Sequence, residues 1–204
     1  MKSTRVILIA VGALFVGISV FFLGLQAYEA QQTFKGSAIG TPAPQALDFE
    51  LQKPDGSPFR LSEQKGKVVL IYLGFTNCED ACPAAMGKYK QIAEELGEDA
   101  TLVDFVFVTV DPDRDSSEVI DAYLHLFNPS FVGLTGSLEE LLQVWTFYGS
   151  ANPIKVDVVD ENTYEVTHGN RIWVIDKEGL WRLTFPEEMS AEDMTHDVRL
   201  LLDE

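Results

Sequence analysis

Cysteine is scarce in this chain of 204 residues, which has only Cys78 and Cys82, beside three histidines. One pair of cysteines four positions apart excludes a small scaffold held together by several disulfides. Basic side chains are also few, because 15 Lys and Arg stand against 32 Asp and Glu and leave a formal net charge of −17. Such a surface repels phosphate backbones, so we exclude nucleic acid as a partner.

A long uncharged segment lies near the start of the chain, from position 6 to position 28. Its apolar part has about 20 residues, the length that a helix needs to cross a bilayer, and it exceeds the apolar core of a cleaved signal peptide. Lys2 and Arg5 precede it, and Glu29 is the first charged residue after it. The positive-inside rule therefore places the N-terminus in the cytoplasm and the rest of the chain outside. We expect a single-pass anchor in the cell membrane at 1–28.

The rest of the chain is predicted to form a linker at 29–45 and one globular domain at 46–204. Within the domain, the continuous apolar runs 68–75 and 102–110 are typical of central strands covered on both faces. Each run is followed by a segment with helical periodicity, and a last amphipathic helix begins at Ser190. Hairpins are predicted at three turns, 54–56, 160–162 and 177–179. This order predicts an α/β, thioredoxin-like fold: a central mixed sheet flanked by helices, with extra β-hairpins and an N-terminal transmembrane helix.

In that layout the active site is the loop between the first buried strand and its helix, where Cys78 and Cys82 fall. Thioredoxin-type oxidoreductases use Cys-x-x-Cys, with the first thiol at a helix N-terminus that lowers its pKa. Here one more residue lies between the two cysteines, which widens the loop. The wider spacing favours two thiolates that hold one soft metal ion, chiefly Cu(I), and disulfide chemistry is the alternative.

A third ligand would complete a site of two sulfurs and one nitrogen that can hold Cu(I) or Cu(II). His168 is the best candidate, because it is predicted in a loop between a strand end and Gly169. The same position suits an ordinary solvent-facing histidine, and the residues alone favour neither interpretation. His125 and His196 fall on the polar faces of their predicted helices, where we expect them to be solvated.

Three carboxylates, Asp111, Asp113 and Asp115, lie close together after the second apolar run. They lack the Gly and the distant Glu of a calcium-binding loop, so a hard-metal site is not favoured. We interpret them as part of a turn and of a helix cap, with Asp115 and Glu118 as an N-terminal capping pair. Arg114 is expected to pair with one of the carboxylates.

Four motifs, in order along about 40–185, resemble the Sco/SenC family of membrane-anchored copper proteins. They are GFTNCEDACP at 74–83, VDPDRD at 110–115, FVGLTG at 131–136, and THG at 167–169 followed by VID at 174–176. The resemblance implies a thioredoxin-like domain that binds copper through Cys78, Cys82 and His168. It also implies a role in assembling the binuclear Cu-A centre of cytochrome c oxidase, by copper delivery or by keeping the thiols of that centre reduced. The implied partners are the Cu-A subunit of the oxidase and a copper donor protein.

The chain departs from the family pattern at two places. Glu79 replaces the Pro that often follows the first cysteine, and it adds a carboxylate beside the thiols. Thr167 and Gly169 replace the usual Asp and Ser beside the histidine. A residue at such a position can orient the imidazole through an outer-shell contact.

The leading hypothesis is therefore a copper metallochaperone rather than an enzyme, with Cys78 and Cys82 as thiolate ligands and His168 as the nitrogen ligand. The alternative is a thiol–disulfide oxidoreductase, in which Cys78 and Cys82 are the catalytic residues and His168 is not needed. A third possibility is a redox or copper sensor that signals by docking to a partner.

Overall fold

The computed structural model describes residues 18, 21, 33–149, 153–160 and 164–204. The chain divides into two compact units, residues 1–34 and 35–204, and the architecture that follows is that of the second. The anchor predicted at 1–28 falls outside the described residues, except for Ile18 and Phe21. In the described part of the chain, no helix combines the length and the apolar character that crossing a membrane requires.

The described part of residues 35–204 contains ten strands and four α-helices. The strands are β1 (Ser37–Ala38), β2 (Glu50–Gln52), β3 (Pro58–Arg60), β4 (Val68–Gly74), β5 (Val103–Thr109), β6 (Val132–Leu134), β7 (Ile154–Val156), β8 (Glu165–Thr167), β9 (Arg171–Ile175) and β10 (Trp181–Pro186). The α-helices are α1 (Ala81–Leu96), α2 (Ser117–His125), α3 (Leu138–Val144) and α4 (Ala191–Asp203).

A six-stranded mixed sheet forms the centre of the domain, with the strand order β1-β10-β9-β4-β5-β6. Strands β4, β5 and β6 are parallel, and β9 runs antiparallel between β4 and β10. Every residue of β4 and β5 is buried, as their continuous apolar sequences predicted. Helices α1 and α4 pack against each other and complete the α/β arrangement. The thioredoxin-like fold class is thereby confirmed.

The predicted hairpins are present as antiparallel strand pairs. Strand β2 pairs with β3, β7 pairs with β8, and β9 pairs with β10. The β7–β8 pair matters most for the site, because β8 ends at Thr167, directly before His168. Strand β9 then begins at Arg171 and lies beside β4, whose end leads into the cysteine loop.

Helix caps follow local sequence signals, with one exception. Ser137 and Glu140 form a complete capping box at the start of α3, and Ser190 caps α4. The predicted capping pair of Asp115 and Glu118 is wrong, because Ser116 caps α2 by accepting from the amide of Val119. The carboxylate of Asp115 is engaged instead by hydroxyl and amide donors of the site loop and of β5, described below.

Residues 35–45, which the sequence assigns to the linker, make contacts with the domain. Strand β1 pairs with β10, and Gln45 forms an isolated bridge with Leu180. The amides of Lys35 and Gly36 donate to the carboxylate of Asp197 in α4. The side chain of Asp197 has no exposed surface. This part of the linker is therefore fixed by hydrogen bonds to buried groups.

Candidate metal centre

The structure brings the three predicted ligands together. The sulfurs of Cys78 and Cys82 and one ring nitrogen of His168 all lie within 4.8 Å of one another. The two cysteines are free thiols, and the Sγ of Cys82 is 3.7 Å from the Nε2 of His168. Among the described residues, this is the single group of three or more potential metal-ligating side chains at such spacing.

Gly74, the last residue of β4, leaves room for the second thiol. A Cβ atom at this position would lie 2.9 Å from the Sγ of Cys82 and 2.8 Å from ring carbons of Tyr72 and Phe107. Contacts this short do not occur in packed proteins, so a side chain would displace the sulfur or the rings. The carbonyl of Gly74 also accepts from the amide of Val110, which joins the end of β4 to the segment after β5.

Asp115 fixes the loop that carries Cys78. Its carboxylate accepts from the amide of Thr76 at 3.2 Å, from the Thr76 hydroxyl at 2.6 Å and from the Thr109 hydroxyl at 2.7 Å. Burial raises the pKa of this carboxyl, and the hydrogen bonds from the two threonines oppose that shift. The loop is thus tied to the C-terminal end of β5 by a buried acceptor.

The two thiols differ in acidity because of their surroundings. The thiol of Cys82 and the backbone amide of Cys82 both donate to the Sγ of Cys78, and together with His168 they lower the pKa of Cys78 to about 5. The pKa of Cys82 is raised, because its proton is held by the Cys78 sulfur and because its side chain is buried. At neutral pH the half-buried Cys78 is therefore a thiolate, and Cys82 carries the remaining proton.

His168 is held at the site mainly by aromatic packing. Its ring meets Tyr72 and Phe75 edge-on, with centroid distances of 6.0 and 5.6 Å. Its Nδ1 lies 3.2 Å from the carbonyl oxygen of Gly169. The other ring nitrogen, Nε2, faces the thiols and lies 3.7 Å from the Sγ of Cys82. The half-buried ring therefore does not match the alternative of an ordinary solvent-facing histidine.

The other two histidines lie elsewhere in the fold. His125 is half exposed and its Nδ1 contacts the carbonyl of Asp121, as expected for a solvated position. The expectation for His196 is wrong: the ring is mostly covered, and its Nδ1 lies 2.9 Å from the carboxylate of Asp197. That carboxylate is buried and accepts from the amides of Lys35 and Gly36, which the helical pattern alone does not reveal.

Two site residues carry no recognisable sequence signal. The hydroxyl of Tyr72 lies 3.8 Å from the Sγ of Cys82, yet Tyr72 belongs to an apolar run that predicts only core packing. Tyr164 donates to the carboxylate of Asp111 at 2.7 Å, although the two residues are 53 positions apart. Arg114 forms the predicted ion pair, and its partner is Asp111.

The donor set fits a soft metal ion. Two sulfurs and one imidazole nitrogen are ligands that such ions prefer, whereas Mg²⁺ and Ca²⁺ prefer oxygen. The 3.7 Å between Cys82 Sγ and His168 Nε2 suits two ligands of one ion, with bonds of about 2.3 and 2.0 Å at an angle between tetrahedral and trigonal. Since Cys78 and His168 are only half-buried, an ion held here would remain accessible to incoming ligands.

Comparison with known proteins gives the same picture. The family model described as SCO1/SenC matches residues 38–203. The SCO2-like protein of Rickettsia prowazekii is 30% identical over an alignment of 206 residues, gaps included, which covers 95% of this chain and 96% of that protein. Bradyrhizobium japonicum ScoI, solved with copper bound, is 30% identical with a TM-score of 0.71 and matches over 78% of this chain and 100% of its own. Yeast Sco1, also solved with copper bound, is 27% identical with a TM-score of 0.71, over 80% and 90% of the two chains. The chain belongs to the SCO1/SenC family.

Proposed function

We propose that this protein is a membrane-anchored copper metallochaperone that assists assembly of the Cu-A centre of cytochrome c oxidase. The observation that carries the proposal is the convergence of Cys78, Cys82 and His168 within 4.8 Å at an accessible place. Family membership supports it, as do two relatives that were solved with copper bound. Copper is the cargo in this proposal, and the partners are a copper donor protein and the Cu-A subunit of the oxidase.

The site chemistry supports loading and release of copper. Cys78 is already a thiolate at neutral pH, so binding needs the loss of one further proton, that of Cys82. His168 supplies a nitrogen ligand from a loop rather than from a strand or helix. A partner that offers its own thiolates can replace the half-buried Cys78 first, while the buried Cys82 keeps the ion in place.

We further propose that residues 1–28 anchor the protein in the cell membrane, with the N-terminus in the cytoplasm and the copper domain outside. The uncharged segment and its flanking Lys2 and Arg5 support this orientation. Labelling of Cys78 by a membrane-impermeant thiol reagent in intact cells tests it. Labelling that appears only after lysis would contradict an extracytoplasmic domain.

Copper stoichiometry tests the metallochaperone proposal. The reduced full chain should retain about one copper per molecule against a moderate chelator, and Cys78→Ser and Cys82→Ser should retain little, because each loses a thiolate ligand. His125→Ala is the matched control for His168→Ala, since His125 is half exposed and does not belong to the metal-ligating group of the described structure. Less than half an equivalent on the wild-type protein would refute copper binding.

A thiol–disulfide oxidoreductase is the second candidate, favoured by the unequal acidity of the two cysteines. The Cys78 thiolate would attack a target disulfide and release one target thiolate, which takes up a proton. The Cys82 thiol would then lose its proton, attack the mixed disulfide and release the second target thiol. The target gains two electrons, and the Cys78–Cys82 pair becomes a disulfide. Oxidase assembly that survives His168→Ala but not Cys78→Ser would favour this candidate over copper delivery.

A further inference from the structure

The proposed nitrogen ligand depends on its surroundings for its orientation. Within the described structure, the Nδ1 of His168 contacts the carbonyl of its own chain neighbour, Gly169, and its Nε2 faces the thiols. A histidine ligand is usually oriented by a hydrogen bond from its other ring nitrogen to a carboxylate, a backbone carbonyl or a water. Gly169 belongs to the same loop as His168, so its carbonyl orients the ring only as far as the loop itself is held in place.

The nearest rigid support on the chain is the β7–β8 hairpin, which ends one residue before His168. This hairpin is separate from the central sheet and pairs only within itself among the described strands. The short link at 168–170 to β9 ties its end to the central sheet, and side-chain contacts must hold the rest of the hairpin in place.

A cluster of three residues supplies these contacts, and we call Asp111, Arg114 and Tyr164 the hairpin clamp. The Tyr164 hydroxyl donates to the carboxylate of Asp111 at 2.7 Å. The guanidinium of Arg114 lies 3.7 Å from the centre of the Tyr164 ring and donates to the Tyr164 carbonyl at 2.9 Å. Arg114 also forms an ion pair with Asp111, which closes the cluster.

The clamp is largely buried, and a solvent-exposed ion pair lies beside it. Tyr164 exposes 5% of its surface and Asp111 exposes 2%. On the other strand of the hairpin, the Nζ of Lys155 lies 4.1 Å from the Tyr164 ring and 2.7 Å from the carboxylate of Asp113. Charge-assisted hydrogen bonds and cation–π contacts gain strength when they are shielded from water, so this cluster can hold the hairpin in one place.

The clamp reaches His168 by two routes. Along the chain, β8 connects Tyr164 to His168 across three residues. Through space, the Arg114 guanidinium lies 5.7 Å from the Phe75 ring, and that ring packs edge-on against the imidazole. Loss of the clamp would loosen both the backbone that leads to the histidine and one of its two aromatic contacts.

We propose that Tyr164, held by Asp111 and Arg114, is a positioning residue that fixes the β7–β8 hairpin and thereby places the imidazole of His168 beside the two thiols. The proposal rests on the proposed function, since it concerns the nitrogen ligand of the same copper site. It gives the buried pair of Arg114 and Asp111 a role at the metal centre.

The test compares Tyr164→Phe and Tyr164→Ala with wild type in the full chain. Tyr164→Phe removes the hydrogen bond to Asp111 and keeps the ring over which Arg114 lies, whereas Tyr164→Ala removes both. Tyr89→Phe is the matched control, because the Tyr89 hydroxyl is also buried and donates to a backbone carbonyl, that of Val106, in the sheet core. The measurements are the thiolate-to-copper(II) absorption band, the nitrogen hyperfine signal and the rate of copper loss to a chelator.

We expect Tyr164→Ala to shift the absorption band as His168→Ala does, to weaken the nitrogen signal and to release copper about tenfold faster, a change equal to about 1.4 kcal/mol. Tyr164→Phe should give a smaller change of the same sign, and Tyr89→Phe should match wild type. In the double variant Tyr164→Ala with His168→Ala, copper loss should be no faster than in His168→Ala alone. Additive effects, or wild-type spectra in both folded Tyr164 variants, would overturn the proposal.

Hydrogen exchange in the metal-free full chain separates this proposal from the copper proposal. The clamp predicts that amides of residues 165–170 exchange faster in Tyr164→Ala than in wild type and are unchanged in Tyr89→Phe. If wild type retains no copper, the proposed function fails, while faster exchange still supports the clamp. Unchanged exchange at residues 165–170 overturns the clamp, whatever the copper result.

Discussion

Replacing Gly74 by alanine tests whether the end of β4 is as tightly packed as the geometry requires. The added methyl group would lie 2.8 Å from ring carbons of Tyr72 and Phe107 and 2.9 Å from the Sγ of Cys82. All three side chains are buried, with 2% exposure or less, so none can move aside into solvent. Overpacking in a core costs about 1–3 kcal/mol, and three simultaneous short contacts place Gly74→Ala near the upper limit, at about 3 kcal/mol.

Urea and thermal unfolding of the reduced, metal-free full chain, followed by tryptophan fluorescence, measure this loss of unfolding free energy. For a domain of this size, a loss of about 3 kcal/mol lowers Tm by roughly 6–12 °C. Because the methyl group also presses on the Sγ of Cys82, Gly74→Ala should in addition retain less copper than wild type.

Gly87→Ala is the matched control within the adjacent helix α1. Apart from its chain neighbours and the backbone of its own helix, no atom lies within 4 Å of a Cβ at position 87, and the position is exposed. The same chemical change should therefore stabilise the protein there by about 0.5–1 kcal/mol, because alanine loses less backbone entropy in a helix than glycine. Equal unfolding midpoints for Gly74→Ala and wild type would refute the packing argument, as would destabilisation by Gly87→Ala.

Three further predictions follow from buried or perturbed groups. In the metal-free protein the Cys78 thiolate, followed by its ultraviolet absorbance, should be lost as pH falls through about 5, and copper affinity should fall with it; a midpoint near the ordinary pKa of 9.0 would contradict this. Asp115→Asn replaces one acceptor oxygen by an NH₂ group, which cannot accept from the amide and hydroxyl of Thr76. It should lower the free energy of unfolding by about 1–3 kcal/mol, measured by urea titration. Asp197→Ala leaves the amides of 35–36 without their buried acceptor, so hydrogen exchange at 35–38 should accelerate, and unchanged protection there would argue against this anchoring.

Local patterns were sufficient for most elements of the fold. The continuous apolar sequences of β4 and β5 predicted central strands, because strands buried on both faces have no polar side to display. Ser190 predicted the start of α4, since a serine there can accept from a free amide of the first helical turn. Such signals act between residues that are close in the sequence and need no knowledge of the tertiary structure.

Local signals failed where a distant partner competed for the same side chain. Asp115 has the sequence context of a helix cap, but Thr76 and Thr109 offer it three donors, and Ser116 caps the helix instead. His196 lies on a polar helix face, yet its Nδ1 lies 2.9 Å from the carboxylate of Asp197, which also accepts from the amides of 35–36. For Asp115 the deciding donor residue Thr76 is distant in the chain. For His196 the deciding acceptor is its neighbour Asp197, and the distant part is the segment at 35–36 that contacts this carboxylate.

The sequence by itself determined the α/β order of elements, the position of Cys78 and Cys82 between a buried strand and a helix, and the soft character of their ligand atoms. It left open whether His168 joins them, because nothing local distinguishes a ligand in a loop from a solvated side chain. The tertiary structure decided that question of placement: β9 pairs with β4, and this brings a histidine 86 positions away to 3.7 Å from Cys82. Strand order and side-chain clamping are properties of the whole sheet, which local periodicity does not encode.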